Sequence, residues 1–287
     1  MRSSDAVEMF SIDCAGSRFP RALKVVTLAS RSCTRWRDVS PATRLRSSSS
    51  RSCFAQLSCQ WQISQWAIGA GYSMVDYTLD VAQLLDALKH FPITIIGHSL
   101  GGSIALQYTG TYPGRVKKVV AIEGLGPPPQ MIREDKPAHE RMQEWIGEMQ
   151  TLSRRHPRRY KTLDEATARM REANPNLSAE QARHLTVHGC YLDEDGTYLW
   201  KFDNYVRAAS PYLFNMRDAR ELWQQITCPV LLLRGMDSWA SDPEKDGRAT
   251  AFRDYRLVNV PKAGHWVHHD QLDVFLRAVR QFLAHPS

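Results

Sequence analysis

The sequence predicts an α/β fold in which a mostly parallel sheet is flanked by helices. Short apolar runs rich in β-branched residues predict buried strands, and longer stretches with helical spacing separate them. With 43% hydrophobic and 23% charged residues among 287, the chain can form a sizeable core. Strands are predicted at 93–96, 118–122, 228–235 and 255–260, and helices at 103–112, 140–152, 163–173, 179–187 and 270–283.

The segment 97–102, Gly-His-Ser-Leu-Gly-Gly, joins the first of these strands to a helix. A Gly-x-Ser-x-Gly turn in this context is typical of a nucleophile elbow, which exposes the serine at the helix N-terminus while the glycines let strand and helix pass closely. Backbone N–H groups and the helix dipole there favour a developing oxyanion. Ser99 is therefore the candidate nucleophile. The alternative is an ordinary glycine-rich turn.

A serine nucleophile needs a base, and the base needs a carboxylate to orient it. In hydrolases with this elbow the chain order is serine, acid, histidine, and His265 follows the predicted strand 255–260 in a loop. His265 is therefore the candidate base. His268 and His269 lie at the start of the next helix, and because no cysteine or spaced carboxylate completes a ligand set, no metal site is expected.

Two carboxylates compete for the role of the acid. Asp237 lies two residues beyond Gly235, at the end of a predicted strand, and Glu123 ends the predicted strand 118–122. Both therefore lie at carboxyl ends of strands, where α/β sheets bind ligands. We favour Asp237, because it occupies the usual place in the order serine, acid, histidine. Glu123 remains the alternative.

These motifs resemble those of a known family. The residues at 97–102, the strand end at 235–237, the loop at 264–266 and the strand-to-lid junction at 121–127 are similar to those of the α/β-hydrolase superfamily, specifically its esterase-like members with a lid. The resemblance begins at about residue 66. It implies an eight-stranded, mostly parallel sheet with helices on both faces and a helical cap over the site.

The resemblance also assigns roles to individual residues. It implies Ser99 as nucleophile, His265 as base and Asp237 as acid, with the N–H of Leu100 as one oxyanion donor. One departure concerns the acid, because many members have Gly-x-x-Asp where this chain has Ser238 in the last position. That departure keeps Glu123 open.

The N-terminal segment, residues 1–65, departs from the family altogether. Residues 1–66 contain fourteen serines and ten Lys/Arg against four Asp/Glu, which gives +6 of the chain's net charge of +7. No His-Gly motif for the second oxyanion donor occurs here, and only 22–28 looks like a strand. A transit peptide and a basic tail are alternatives. We favour a frame error or similar damage to the gene, which would leave the strand 93–96 as an open edge.

The remaining organisation follows from the motifs. Hydrolase core is expected at 66–126 and 223–287, and a helical cap at 127–222. The cap is rich in aromatic residues, which either line an apolar pocket over Ser99 or pack the cap onto the core. The basic run 154–159 lacks interleaved aromatics and is expected to be a solvated helix end.

The resulting functional expectation is a serine hydrolase of small carboxylic esters or related acyl substrates, which acts through an acyl-enzyme and needs no metal or organic cofactor. A carbon–carbon bond hydrolase with the same triad, or a hydrolase-fold protein disabled by the missing oxyanion loop, are the alternatives. The expected partner is a small-molecule substrate, with neither nucleic acid nor membrane. Cys190 and Cys228 are isolated in the sequence and are expected to be reduced thiols in a cytoplasmic protein.

Overall fold

The computed structural model describes residues 8–9, 25–28, 53–58, 72–89, 91–128, 132, 136–208, 210–212 and 214–285. Most of the segment 1–65 lies outside the described residues, and the expectations about its composition and its missing His-Gly motif concern mainly that part. Three strands of that segment are described.

A seven-stranded sheet forms the centre of the described structure, and all of its strand pairs are parallel. The strands are β1 (Glu8–Met9), β2 (Val25–Leu28), β3 (Cys53–Ser58), β4 (Ile93–His98), β5 (Val116–Ile122), β8 (Val230–Gly235) and β9 (Tyr255–Val260). Their order in the sheet is β1-β3-β4-β5-β8-β9, and β2 also pairs with β3. The expected parallel sheet is therefore confirmed.

The strand β4, which leads to Ser99, has a neighbour on each side. Strand β3 pairs with it in parallel from Phe54↔Thr94 to Ser58↔His98, and β5 pairs with its other edge. The expectation that β4 would be an open edge is therefore wrong. The strand at 53–58 was missed because serines and arginines flank its short apolar pattern. The strand expected within 22–28 is present as β2.

Helices cover both faces of the sheet, and each strand sends alternate side chains to opposite faces. On one face, Ile95 and Leu232 pack among residues of the first two helices; on the other, Ile96 and Leu233 pack against the last helix. Burial on both faces explains why the strands are almost continuously apolar. The helices of the core are α1 (Met74–Leu88), α2 (Leu100–Thr111), α6 (Met216–Gln224), α7 (Val267–Asp270) and α8 (Leu272–Ala284).

A mostly helical insertion lies between β5 and α6. It consists of α3 (Ala138–Ser153), α4 (Leu163–Ala173), α5 (Ala179–Gly189) and a two-stranded antiparallel hairpin, β6 (Cys190–Leu192) and β7 (Tyr198–Trp200). Ser178 caps α5 in a capping box, as its sequence predicts. Trp200 packs against two small apolar clusters within this insertion, which thus has a core of its own.

The insertion ends before α6 begins at Met216, a few residues ahead of the expected boundary at 222/223. Helix α6 spans that boundary, and Trp223 on this helix packs in the main core beside Phe252, with ring centroids 5.3 Å apart. Helix α6 is therefore part of the core layer.

Among the described helices, none combines the length and apolar character needed to cross a membrane.

Candidate active site

Ser99 lies at the sharp turn between β4 and α2. Its φ of 54° and ψ of −125° are unusual for a residue with a side chain, and such a backbone costs about 1–3 kcal/mol. A Cβ on Gly97 would lie 2.3 Å from the carbonyl oxygen of Gly101. Only glycine therefore lets the strand and the helix pass this closely, as expected of a nucleophile elbow.

His265 meets Ser99 from the loop between β9 and α7. Its Nε2 lies 2.9 Å from Oγ of Ser99, which is hydrogen-bond distance for a nucleophile and its base. The imidazole is mostly buried, with 19% of the side chain exposed. The structure thus brings together the two residues that the sequence predicts as nucleophile and base.

The carboxylate on the other side of His265 is Glu123. Its Oε2 lies 3.3 Å from Nδ1 of His265, and its side chain is fully buried. Glu123 directly follows β5, with a φ of 52°, and its own N–H donates to the carbonyl of Leu233 on β8, at 2.8 Å. The positive φ is the strained turn that ends the strand.

The pairing of His265 with Asp237 that the sequence analysis favours is not observed. Asp237 is exposed, and its backbone N–H donates to the carbonyl of Ala263, at 2.9 Å. The next residue, Ser238, turns inward instead and donates its hydroxyl to Oε2 of Glu123, at 2.6 Å. The Gly-x-x-Asp pattern places the family's acid at the position of Ser238, so this chain has a hydroxyl there and the carboxylate on the neighbouring strand.

Glu123 is held by a set of donors. The N–H of Gly235 lies 2.7 Å from Oε1, while the hydroxyl of Ser238 and Nδ1 of His265 both lie at hydrogen-bond distance from Oε2. With Nδ1–H of His265 donating to Glu123, Nε2 is left to accept the hydroxyl proton of Ser99. This is the tautomer that a serine nucleophile requires.

The sequence analysis assigns no role to His98, which occupies the unspecified position between Gly97 and Ser99 in the Gly-x-Ser-x-Gly motif. Its buried ring contributes an Nε2–H that donates to the backbone carbonyl of His265, at 2.7 Å. Burial lowers the pKa of His98 to about 3, so the ring is neutral at ordinary pH. It lies against Trp266 and His268, with ring centroids 4.8 Å away in each case, and supports the loop that carries the base.

The face of His265 also meets Trp239, whose ring centroid is 5.1 Å away. Trp239 is 53% exposed. The sequence contains no motif that links Trp239 to the site.

Leu100, the expected oxyanion donor, is the first residue of α2. Its N–H is one of the helix N-terminal groups that have no partner within the helix. The segment 59–71, which follows β3, lies outside the described residues. The expectation about the second oxyanion donor also concerns residues that the structure does not describe.

Comparison with known proteins agrees with this fold. The model of the alpha/beta hydrolase fold family matches residues 45–272, and so begins earlier than the motifs indicate. A serine hydrolase-like protein of Danio rerio is 25% identical over 59% of the chain and 52% of its own length. Esterase YbfF of Escherichia coli is 26% identical over 71% of the chain and 72% of its own length.

A solved structure of a hypothetical protein from Pseudomonas aeruginosa is 24% identical, covers 76% of both chains and has a TM-score of 0.65. The chain spans 52% and 60% of the lengths of two serine hydrolase-like relatives, from Danio rerio and Dictyostelium discoideum. Because the family model covers most of the sequence and the fold agrees, the chain belongs to the alpha/beta hydrolase fold family.

Proposed function

We propose that the protein is a serine hydrolase of small carboxylic esters, in which Ser99, His265 and Glu123 form the triad. The observation that carries the proposal is the continuous line of contacts from Oγ of Ser99 through both ring nitrogens of His265 to the carboxylate of Glu123. An ester bond is favoured because the relatives include proteins named as an esterase and as an sn-1-specific diacylglycerol lipase.

In the acylation step, Oγ of Ser99 attacks the ester carbonyl while Nε2 of His265 takes the hydroxyl proton. The imidazolium that forms is stabilised by Glu123, and the tetrahedral oxyanion by the N–H of Leu100 at the helix N-terminus. His265 then passes its proton to the leaving alcohol as the carbon–oxygen bond breaks. An acyl group remains on Ser99.

In the deacylation step, His265 takes a proton from water, and the resulting hydroxide attacks the acyl carbonyl. The bond to Ser99 breaks, the proton returns to Oγ, and the acid leaves. None of these steps requires a metal or an organic cofactor. A small-molecule ester is the only partner needed.

Two cysteines outside the N-terminal segment, Cys190 and Cys228, support a reducing compartment. Cys190 and Cys228 are free and buried, and burial raises their pKa values to about 12 and about 11. Such thiols are unreactive structural groups. They fit the proposed location in the cytoplasm.

The experiment that tests the function combines labelling with turnover. A fluorophosphonate probe should label the protein at Ser99, and p-nitrophenyl acetate should be hydrolysed; Ser99→Ala should abolish both while the circular dichroism spectrum stays unchanged. Absence of labelling in the folded wild-type protein would favour a disabled hydrolase fold. Labelling without turnover of any ester would favour the carbon–carbon hydrolase.

A further inference from the structure

A buried ion pair lies in the loop between β8 and β9. Arg248 is the first residue of a short 3₁₀ turn, its Nη2 lies 2.7 Å from Oδ2 of Asp246, and only 3% and 6% of the two side chains are exposed. Burial alone would raise the pKa of Asp246, but hydrogen bonds from Arg248 and Ser241 hold this pKa below its usual range, so the pair is charged at neutral pH. A buried ion pair adds little net stability over apolar residues of similar size, and no step of the proposed mechanism uses it.

The guanidinium of Arg248 joins two loops of the core. Its Nη1 donates to the carbonyls of Leu125 and Gly126, at 3.3 and 3.2 Å, where the chain leads from β5 towards the cap. Its Nη2 donates to the carbonyl and the hydroxyl of Ser241, at 3.2 and 3.0 Å, in the loop that follows β8. The N–H donors of a guanidinium lie in one rigid plane. A single side chain therefore fixes the separation of the two loops.

The same two loops hold the proposed acid. Glu123 begins the first of them, which we call the junction loop (123–126). Ser238 begins the second, the serine loop (238–241). The hydroxyl of Ser238 donates to Oε2 of Glu123 at 2.6 Å and accepts from the N–H of Ala240 at 3.2 Å. The guanidinium thus ties the far ends of the two loops, two to three residues beyond the groups that meet at the acid.

The ion pair is also a near neighbour of the acid. Glu123, Ser241 and Arg248 line the same cavity of about 20 Å³. Since a single water molecule needs about 10–15 Å³ of such volume, this space cannot hold a substrate. An effect of Arg248 on the reaction therefore has to pass through the protein, by way of the two loops.

We propose that Arg248 is a positioning residue of the hydrolase, which acts through the junction loop and the serine loop without touching the substrate. Its guanidinium keeps the two loops at a fixed separation, so that Glu123 stays beside His265 and orients the imidazole. Asp246 holds the guanidinium in place and balances its charge. The proposal rests on the proposed function, because it concerns the acid of the same triad.

The test removes both charges of the ion pair together. Replacing Arg248 alone would leave Asp246 as an unpaired buried charge, which is strongly destabilising. The pair variant, Asp246→Asn with Arg248→Met, avoids this and keeps an acceptor for the backbone N–H of residue 248. Its kcat for p-nitrophenyl acetate should fall about 10- to 100-fold, because small displacements within an active site cost up to this much, while KM changes less than about threefold. An unchanged kcat, or a rise in KM alone, would overturn the proposal.

Lys118→Met is the matched control for the loss of a buried cation. Like Arg248, Lys118 is buried and donates to backbone carbonyls, but its acceptors lie at the end of α8. This variant should lower the melting temperature and keep kcat within about threefold of the wild type. An equal loss of kcat in this control would show that general destabilisation explains the effect, and would reject the positioning role.

A double-mutant cycle tests the route through the serine loop. Ser238→Ala should lower kcat about tenfold in the wild type but only about twofold or less in the pair variant, because groups in one hydrogen-bond network are not independent. Losses that simply multiply would place the action of the pair elsewhere and overturn the proposal.

Amide hydrogen exchange separates this inference from the proposed function. The N–H of Gly235, at the end of β8, donates to Oε1 of Glu123 at 2.7 Å, so its exchange rate reports whether the carboxylate stays in place. Exchange at Gly235 should be at least about tenfold faster in the pair variant and within about threefold of the wild type in Lys118→Met. This result would stand even if the wild-type protein hydrolysed no ester. Ester hydrolysis with unchanged exchange at Gly235 in the pair variant would reject the positioning role and leave the triad intact.

Discussion

Replacing Glu123 by glutamine isolates the role of the acid, because the two side chains have nearly the same shape. The N–H of Gly235 lies 2.7 Å from Oε1, so the amide oxygen of the new residue stays at that position and its NH₂ group takes the place of Oε2. That group then faces Nδ1 of His265. An NH₂ group can only donate, so Nδ1 must accept, and the ring proton moves to Nε2.

The consequence is a histidine in the wrong tautomer. Nε2 of His265 would donate to Oγ of Ser99 instead of accepting from it. The corresponding substitution in a serine protease lowers kcat about 10⁴-fold, which is about 5 kcal/mol of transition-state stabilisation. We expect a loss of kcat of this size in Glu123→Gln, with KM changed little because substrate binding does not need the ring proton.

Asp237→Asn is the matched control. Asp237 is exposed and holds its place through its backbone N–H, so kcat should change by less than about threefold. The assay is steady-state hydrolysis of p-nitrophenyl acetate, with the melting temperature of each variant as a check on folding. If Asp237→Asn lost activity and Glu123→Gln retained it, the assignment of the acid from the geometry would be refuted.

Three further perturbations test the surroundings of the site. Ser238→Asp should restore part of the activity of Glu123→Gln, since Oγ of Ser238 lies only 2.6 Å from the carboxylate; no gain in kcat would show that this position cannot reach the base. His98 is neutral in the folded protein down to its pKa of about 3, whereas in the unfolded chain it is protonated below about 6.5. Lowering the pH from 7.5 to 5.0 should therefore reduce the free energy of unfolding by about 2 kcal/mol through this residue, as measured by urea titration. His98→Gln should remove that part of the pH dependence. If the free energy of unfolding of the variant fell with pH as steeply as that of the wild type, the argument from burial would be contradicted. Lys118→Met should destabilise the protein by about 2 kcal/mol or more, because Nζ of this buried lysine donates to the carbonyls of Phe282 and Leu283 at the end of α8, at 2.8 and 3.1 Å. Lys161→Met, at an exposed position, should be neutral, and equal losses in both variants would refute the capping role.

The sequence predicts the candidate nucleophile and the candidate base because local chemistry restricts both. Ser99 needs glycines on both sides of a tight turn, and His265 needs a loop after the last strand; neither requirement depends on distant side chains. The strand 255–260 agrees with β9 residue for residue. The positions of these residues depend on the local sequence, and for Ser99, His265 and β9 the sequence and the structure agree on them.

The acid could not be chosen in the same way. Asp237 and Glu123 both follow strands, and only the direction of each side chain after its strand decides which one reaches His265. That direction depends on the turn at 235–238, where Ser238 and not Asp237 points inward. The role of His98 was hidden for the same reason, since its partner is a backbone carbonyl 167 positions away.

The order of the strands explains why the proposed acid can lie at the end of either of two strands. Strand β5 lies between β4 and β8 in the sheet, so the residue that follows β5 is placed between the nucleophile and the end of β8. The N–H of Ser99 donates to the carbonyl of Ile122 at 2.8 Å, and the N–H of Glu123 donates to that of Leu233. These bonds fix the three strand ends relative to one another. A carboxylate on one end and a hydroxyl on the next can therefore share the task of orienting the base. The hydrogen bond from the hydroxyl of Ser238 to Glu123, at 2.6 Å, joins the ends of these two strands beside His265.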